Sequence, residues 1–147
     1  TKIKRIHNFL VDHIEYDDSM VRTNTRNIYG ALIEKNVVCE GYAESFKYLL
    51  DAVGIPCVEI VGTGTNSSGQ TEAHAWNYVL LNDSWYAIDV TWDDPTIIGN
   101  GKAPKSARTK YFLKGELNFN KTHFPSGQVS EGGVIFVYPE LSKEDYE

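Results

Sequence analysis

Two apolar runs of similar length, 73–81 and 84–92, are separated in this sequence only by Asn82 and Asp83. Both residue types tolerate the positive φ that a two-residue turn requires, so the pattern predicts an antiparallel hairpin. Such a turn also fixes which residues face each other across the two strands. The segment therefore predicts a pairing register as well as two strands.

That register brings a histidine and an aspartate together. Trp76 is placed opposite Asp89 and His74 opposite Thr91, because pairing starts next to the turn. His74 and Asp89 are then diagonal neighbours on one face of the hairpin, with Cβ atoms about 7 Å apart. A ring nitrogen and a carboxylate oxygen can meet across this distance. A slip of one residue would send the two side chains to opposite faces.

Helical periodicity dominates the chain before the hairpin. Apolar residues recur every three or four positions over 3–14, 28–36 and 39–53, and Gly54 provides a stop signal for the third segment. The pattern predicts one surface helix, one short helix and one long apolar helix. The long helix begins at Cys39.

Strand and loop signals dominate the rest of the sequence. Residues 58–61 indicate a buried strand, and the Gly-, Thr- and Ser-rich segment 62–69 indicates a flexible loop. We expect a surface loop over 96–108 and a last strand over 134–138. Helices first and strands later are typical of an α+β domain.

Composition excludes several classes of function. The chain has 147 residues and a net charge of −6, with 14 scattered Lys and Arg residues, which argues against nucleic-acid binding. No apolar run approaches the roughly 18 residues that a membrane span needs. From the chain length we expect residues 1–147 to form one domain, and we expect this domain to be monomeric. Because the sequence has no initiating Met, we expect the domain to be part of a longer protein.

The residue types point to covalent catalysis by a thiol. A cysteine at a helix N-terminus, close to an imidazolium, is favoured as the thiolate. Cys39 is therefore the candidate nucleophile, His74 the candidate base and Asp89 the residue that orients the imidazole. The backbone N–H groups of Cys39 and Glu40 are the candidate donors to an oxyanion.

Alternatives remain for each of these residues. A single buried cysteine, histidine or aspartate is more often structural than functional. A disulfide between Cys39 and Cys57 would exclude the nucleophile, although we expect Cys57 to be an inert or partly buried thiol. No Cys-x-x-Cys or His-Glu-x-x-His motif occurs, so we expect neither a metal nor another cofactor.

Three segments resemble bacterial transglutaminase-like domains: CEGYAESFKYLLDAVGI from Cys39, HAWNYVLL from His74, and WYAIDVTWDDP from Trp85. The resemblance covers residues 28–95. It implies a papain-like α+β fold with the nucleophile helix packed on an antiparallel sheet, and it assigns the same three roles to Cys39, His74 and Asp89. It also implies a module of a secreted or cell-surface protein of Gram-positive bacteria.

Five further residues are candidates for the groove or for support of the catalytic side chains. They are Tyr29, Trp76, Trp92, Asp93 and His123. Core packing is the competing role for the two tryptophans and Tyr29, since large aromatic side chains dominate burial. A surface or capping histidine is the competing role for His123. Trp92 and Asp93 are the better groove candidates because they follow the predicted catalytic strand.

The expected reaction is acyl transfer from a protein or peptide amide, through a thioester on Cys39. A primary amine as acceptor gives crosslinking, and water gives deamidation or hydrolysis. A cysteine peptidase acting on peptide or cell-wall substrates is an alternative. A second alternative is a catalytically silent cell-surface module that binds a ligand in the same groove.

Overall fold

The structure is a computed structural model that describes residues 1–17, 19, 23–94, 107–126, 128–129 and 135–147. Its α-helices are α1 (Lys2–His13), α2 (Cys39–Ala52), α3 (Val90–Asp93) and α4 (Glu116–Phe119). Its strands are β1 (Glu15–Tyr16), β2 (Asn36–Val37), β3 (Cys57–Thr65), β4 (Thr71–Leu81), β5 (Ser84–Ile88), β6 (His123–Pro125), β7 (Gln128–Val129) and β8 (Ile135–Phe136). A π-helical turn, Gly30–Glu34, precedes β2.

The main sheet has four antiparallel strands in the order β5-β4-β3-β6. Leu81 faces Ser84 beside the turn, and Asn82 and Asp83 have φ angles of 50° and 64°. The predicted hairpin is confirmed, and its predicted register holds from the Leu81–Ser84 pair to the Asn77–Ile88 pair but not beyond it. His74 lies on β4, three residues before Asn77, where the pairing of β4 with β5 ends.

The second strand of the hairpin is shorter than predicted. β5 ends at Ile88, and Val90–Asp93 form the short helix α3 instead of continuing the strand to residue 92. The backbone N–H of Asp89 donates to the carbonyl of Tyr111 at 2.9 Å, which takes this residue out of the β4 ladder. Asp89 becomes the N-cap of α3, so it lies at the strand end rather than opposite Trp76.

The loop predicted over 62–69 is also partly a strand. β3 continues to Thr65, because its backbone pairs with β4 on one side and with β6 on the other. Of the surface loop predicted over 96–108, residues 96–106 lie outside the described residues. Ala107–Thr109 form a turn of 3-10 helix. In the last predicted strand, Val134 is outside the described residues, and β8 accounts for the following two residues.

Helix α2 packs on the sheet and forms the centre of the core. Phe46 and Leu50 are fully buried, and they belong to one apolar cluster with Val79 of β4 and Ile88 of β5. The apolar face of α1 joins the same cluster. The predicted α+β architecture, with the cysteine-bearing helix on an antiparallel sheet, is confirmed. Within the described ranges, no helix is both long and apolar enough to cross a membrane.

Buried polar contacts hold α3 against two other helices. Asp93 accepts a hydrogen bond from the ring of His7 on α1 at 2.9 Å, and both side chains are buried. The hydroxyl of Tyr42 on α2 donates to the carboxylate of Asp94 at 2.5 Å. Burial raises the pKa of Asp93 to about 6, although His7 and the backbone N–H of Tyr111 lower it. The acidic pair thus fixes the turn that carries Asp89.

Candidate active site

Cys39 is the first residue of α2 and is half-buried. Val38 caps this helix without a side-chain hydrogen bond. The N–H groups of the first helical residues, Cys39 and Glu40, have no acceptor within a helix. Partial positive charge at this end favours an anion. The thiol of Cys39 therefore lies beside two backbone N–H donors, those of Cys39 and Glu40.

Gly41 allows α2 to begin at this place. A Cβ atom built on Gly41 would lie 2.5 Å from the Cβ of Val37 and 2.9 Å from the carbonyl oxygen of Thr25. Any side chain would push the helix away from the preceding strand β2. This close approach gives a physical reason for glycine two residues after Cys39.

His74 is held on β4 and is only 6% exposed. Its Nε2 donates to Oδ2 of Asp89 at 2.6 Å. Cys39 lies close enough to this ring to contribute to the raised pKa of His74, and both side chains line the same groove. Since Asp89 occupies Nε2, Nδ1 is the nitrogen left for the sulfur. The structure therefore brings together the three residues that the sequence singles out.

Asn77 links the strand of the histidine to the helix of the cysteine. Its side-chain amide donates to the backbone carbonyl of Ala43 in α2 at 3.0 Å, and the residue is 1% exposed. Three positions separate Asn77 from His74 on the same strand. The segment HAWN thus contains both an imidazole for the site and an amide that fixes its distance from α2.

The carboxylate of Asp89 is fully buried and accepts hydrogen bonds at both oxygens. Oδ1 accepts the backbone N–H of Trp92 at 3.0 Å, and Oδ2 accepts from His74 and from Nε2 of His123 at 2.7 Å. Burial by itself would raise the pKa of Asp89, but the two histidines more than offset it and hold that pKa below its usual range. Asp89 is therefore an anion at neutral pH.

The negative charge of Asp89 acts in turn on His74. Burial lowers the pKa of His74, but the charge and hydrogen bond of Asp89, with a smaller contribution from Cys39, raise it above the ordinary value. The imidazolium form is thus favoured beside the sulfur. An imidazolium next to a thiol stabilises the thiolate.

Trp92 forms one wall around the histidine. Its indole stacks on the ring of His74 with a centroid distance of 4.8 Å and an angle of 26°. Gly64 on β3 makes room for this contact, because a Cβ atom there would lie 3.0 Å from the indole and 3.3 Å from the His74 ring. The glycines that suggest a loop in the sequence therefore provide space within a strand.

The remaining candidates occupy different places. Trp76 is 1% exposed and packs in the core cluster of Phe119, with its ring 5.9 Å from that of His74. Asp93 is buried against His7 rather than exposed in a groove. Tyr29 is 56% exposed and does not line the groove at Cys39.

An open groove of about 450 Å³ runs past Cys39 and His74. Its other lining residues include Tyr16, Arg26 and Ser126, which the sequence patterns do not identify. These three come from separate segments, so only the folded chain places them together. The sulfur of Cys39 can therefore be reached through this groove.

The second cysteine is more deeply buried than the first. Cys39 and Cys57 are both free thiols, so the alternative of a disulfide is wrong. Cys57 is 4% exposed, and burial is the main cause that raises its pKa to about 12. The burial expected for this thiol is confirmed, and its low reactivity stays a prediction.

Two histidines and a carboxylate are also a set of donors that can bind a metal ion. Ligand atoms of His74, Asp89 and His123 lie within 4.8 Å of one another. Here hydrogen bonds of 2.6 and 2.7 Å already join these atoms, and all three side chains are buried. Each of the three side chains therefore has a protein hydrogen-bond partner inside the cluster.

Comparison with known proteins provides separate evidence on the family and the fold. The sequence profile described as the Transglutaminase-like superfamily matches residues 1–90. The mouse and human proteins named Kyphoscoliosis peptidase are 28% and 27% identical to this chain over 139 residues, which cover 86% of it. The chain spans only 21% of the length of these curated relatives.

A solved structure described as "Crystal structure of a TGase" has the same fold, with a TM-score of 0.51 at 19% sequence identity. The similarity covers 69% of this chain and 28% of the other. The profile match extends over more than half of the sequence and includes Cys39, His74 and Asp89. This protein belongs to the transglutaminase-like superfamily.

Proposed function

We propose that the protein is a cysteine-dependent acyltransferase that acts on protein or peptide amides. The family supports cysteine-dependent acyl transfer or proteolysis as the general activity. The observation that carries the specific proposal is the position of the His74 ring, between the carboxylate of Asp89 and the thiol of Cys39. The thiol lies at a helix N-terminus and opens into a groove.

In the first half of the reaction, the thiolate of Cys39 attacks the carbonyl carbon of a carboxamide or peptide bond, and a C–S bond forms. The carbonyl π electrons move to the oxygen, where the N–H groups of Cys39 and Glu40 would stabilise the oxyanion. Nδ1 of the His74 imidazolium protonates the departing nitrogen. The C–N bond then breaks and leaves a thioester.

In the second half, neutral His74 accepts a proton from the acyl acceptor. The acceptor attacks the thioester carbonyl, the C–S bond breaks, and Cys39 leaves as the thiolate beside the reformed imidazolium. A primary amine gives a new amide, and water gives an acid. Asp89 keeps the imidazole oriented and stabilises its charged form through both halves.

Hydrolysis is the second candidate outcome of this same site. The curated relatives carry the name peptidase, which supports water as the acceptor. The groove at Cys39 is open, so water can reach an acylated sulfur. A cysteine peptidase would use the three residues in the same roles. A secreted or cell-surface location, with cell-wall peptides among the substrates, remains part of the proposal.

The proposal predicts products that mass spectrometry can separate. We expect incubation with a mixture of Gln-containing peptides and a labelled primary amine to give amine-linked, deamidated or cleaved peptides. The products would identify the acceptor, because amine and water change the peptide mass differently. Cys39→Ala should form none of them, while Cys57→Ala should form them at the rate of the unmodified protein.

Two results would contradict acyl transfer by Cys39. One is product formation at equal rates with the unmodified protein and with Cys39→Ala. The other is the absence of every product across the peptide mixture together with saturable peptide binding. That second result would favour the silent binding module.

A further inference from the structure

His123 shares the carboxylate of Asp89 with His74. Its Nε2 lies 2.7 Å from the same Oδ2 atom that His74 approaches to 2.6 Å. His123 and Asp89 are each 0% exposed, so bulk water does not supply a substitute donor. The alternative of a surface histidine is wrong for this residue. A histidine in this position acts on the carboxylate directly.

The surroundings of His123 fix the direction of its Nε2–H bond. Nδ1 lies 2.8 Å from the hydroxyl of Thr122, and the ring stacks on Phe119 with a centroid distance of 3.8 Å. An ionised carboxylate can only accept a hydrogen bond, so Nε2 of His123 carries the proton that it donates to Asp89.

The position of His123 follows from the sheet. It is the first residue of β6 and is paired with Gly64 of β3, while His74 on β4 is paired with Gly62 of the same strand. Two strands on opposite sides of β3 therefore deliver one imidazole each to a single carboxylate. The ring centroids of His74 and His123 are 5.7 Å apart.

We propose that His123 is a positioning residue for the acyl-transfer reaction. Its side chain holds Asp89 ionised and directed at His74. The active site then contains four side chains: Cys39, His74, Asp89 and His123. This inference rests on the proposed function. His123 acts through Asp89 and His74 rather than on substrate.

The titratable and charged groups around Asp89 come from each packed element. His74 on β4 and His123 on β6 donate to it, and Cys39 on α2 acts through His74. Asp93 on α3 is a nearby negative charge, and it is paired with His7 of α1.

Loss of the His123 donor should therefore raise the pKa of Asp89 toward its ordinary value. As the pH falls, Asp89 would then become neutral sooner, and His74 would lose its charged partner at a higher pH. The acid limb of any reaction of the Cys39 sulfur should move upward.

The test uses two substitutions that separate hydrogen bonding from packing. His123→Phe keeps an aromatic ring against Phe119 but has no N–H. His123→Gln keeps an amide N–H that can reach the position of Nε2 but has no ring. The measurement is the rate of iodoacetamide alkylation of Cys39 as a function of pH, followed by peptide mapping.

We expect His123→Phe to move the acid limb up by about one pH unit, and so to lower the alkylation rate at a pH on that limb by up to about 10-fold, because a donor to a charged group is lost. His123→Gln should stay close to the unmodified protein in both respects. A profile of His123→Phe that matches the unmodified protein would overturn the inference. If His123→Phe does not fold, His123→Leu, which also lacks an N–H group, replaces it: a raised acid limb supports the inference, and an unmoved one overturns it.

Failure of this inference is distinguishable from failure of the proposed function. A Cys39 that reacts no faster than Cys57 in the unmodified protein would overturn both. A fast-reacting Cys39 whose pH profile is the same in His123→Phe would overturn only the role of His123.

Discussion

Cys39→Ala is expected to abolish turnover while the protein remains folded. Removal of a catalytic nucleophile lowers kcat on the order of 10⁵- to 10⁶-fold in an enzyme of this type. The side chain is half-buried at the start of α2 and loses only its sulfur, so we expect a change in the free energy of unfolding of about 1 kcal/mol or less. Product formation in the amine-transfer assay and urea unfolding are the two measurements.

Cys57→Ala is the matched control for this substitution. It removes the same atom from a thiol that is 4% exposed and packed in the core beside Val79. Cavity formation should lower its stability more than in Cys39→Ala, while its turnover stays unchanged at temperatures where it is folded. Equal turnover of Cys39→Ala and the unmodified protein would rule out Cys39 as the nucleophile.

The second large effect is expected for Asp89→Asn. The asparagine oxygen can still accept the backbone N–H of Trp92, because asparagine is as good a helix N-cap as aspartate. Its amide N–H₂ group would then face Nε2 of His74 and Nε2 of His123. To accept this donor, His74 must move its proton to Nδ1, the nitrogen that serves Cys39.

His74 in that tautomer can neither accept a proton at Nδ1 nor be stabilised as a cation. The equivalent change in a serine triad lowers kcat about 10⁴-fold, and we expect a loss of about 10³- to 10⁴-fold here. Asp94→Asn is the control, since it makes the same chemical change in a buried aspartate that bonds to Tyr42 and not to a histidine. Its kcat should stay within a few-fold of the unmodified protein. A similar small effect for Asp89→Asn would contradict the orienting role.

The hairpin shows what local sequence can specify. A two-residue Asn-Asp turn leaves one register that buries the apolar side chains, so pairing from Leu81 and Ser84 to Asn77 and Ile88 follows from the turn alone. The approach of His74 to Asp89 depends on that register. These predictions needed no information from the rest of the chain.

The end of the second strand required tertiary contacts. Ile88, Val90 and Trp92 alternate with polar residues as in a strand, but Asp89 turns away to bond with the backbone of Tyr111. Its carboxylate then caps α3. The sequence does contain a signal for this cap, because Asp89 lies three residues before Trp92. The alternation of apolar and polar residues favoured a strand instead.

His7 is a buried polar residue that the sequence patterns also miss. It lies on the apolar face of α1, four residues after Ile3 and three before Leu10, and it is 0% exposed. A histidine at this spacing in an apolar stripe indicates a buried partner, here Asp93. The partner itself could not be named, because 86 residues separate the two positions.

The same limit applies to His123, which the sequence offers only as a candidate. Its contact with Asp89 arises because β6 pairs with β3. That pairing joins Gly64 to a residue 59 positions later, and no turn signal connects the two segments. The catalytic roles of Cys39, His74 and Asp89 stay predictions that chemistry must test.

The central claim is that Cys39 is kept as a reactive thiolate by His74 and Asp89. Its most direct test is the rate at which iodoacetamide labels each cysteine of the unmodified protein near neutral pH, read by peptide mapping. We expect Cys39 to be labelled at least about 100-fold faster than Cys57, and this difference to fall strongly in His74→Ala. Equal, slow labelling of both thiols, or fast labelling of Cys39 that persists in His74→Ala, would contradict the claim.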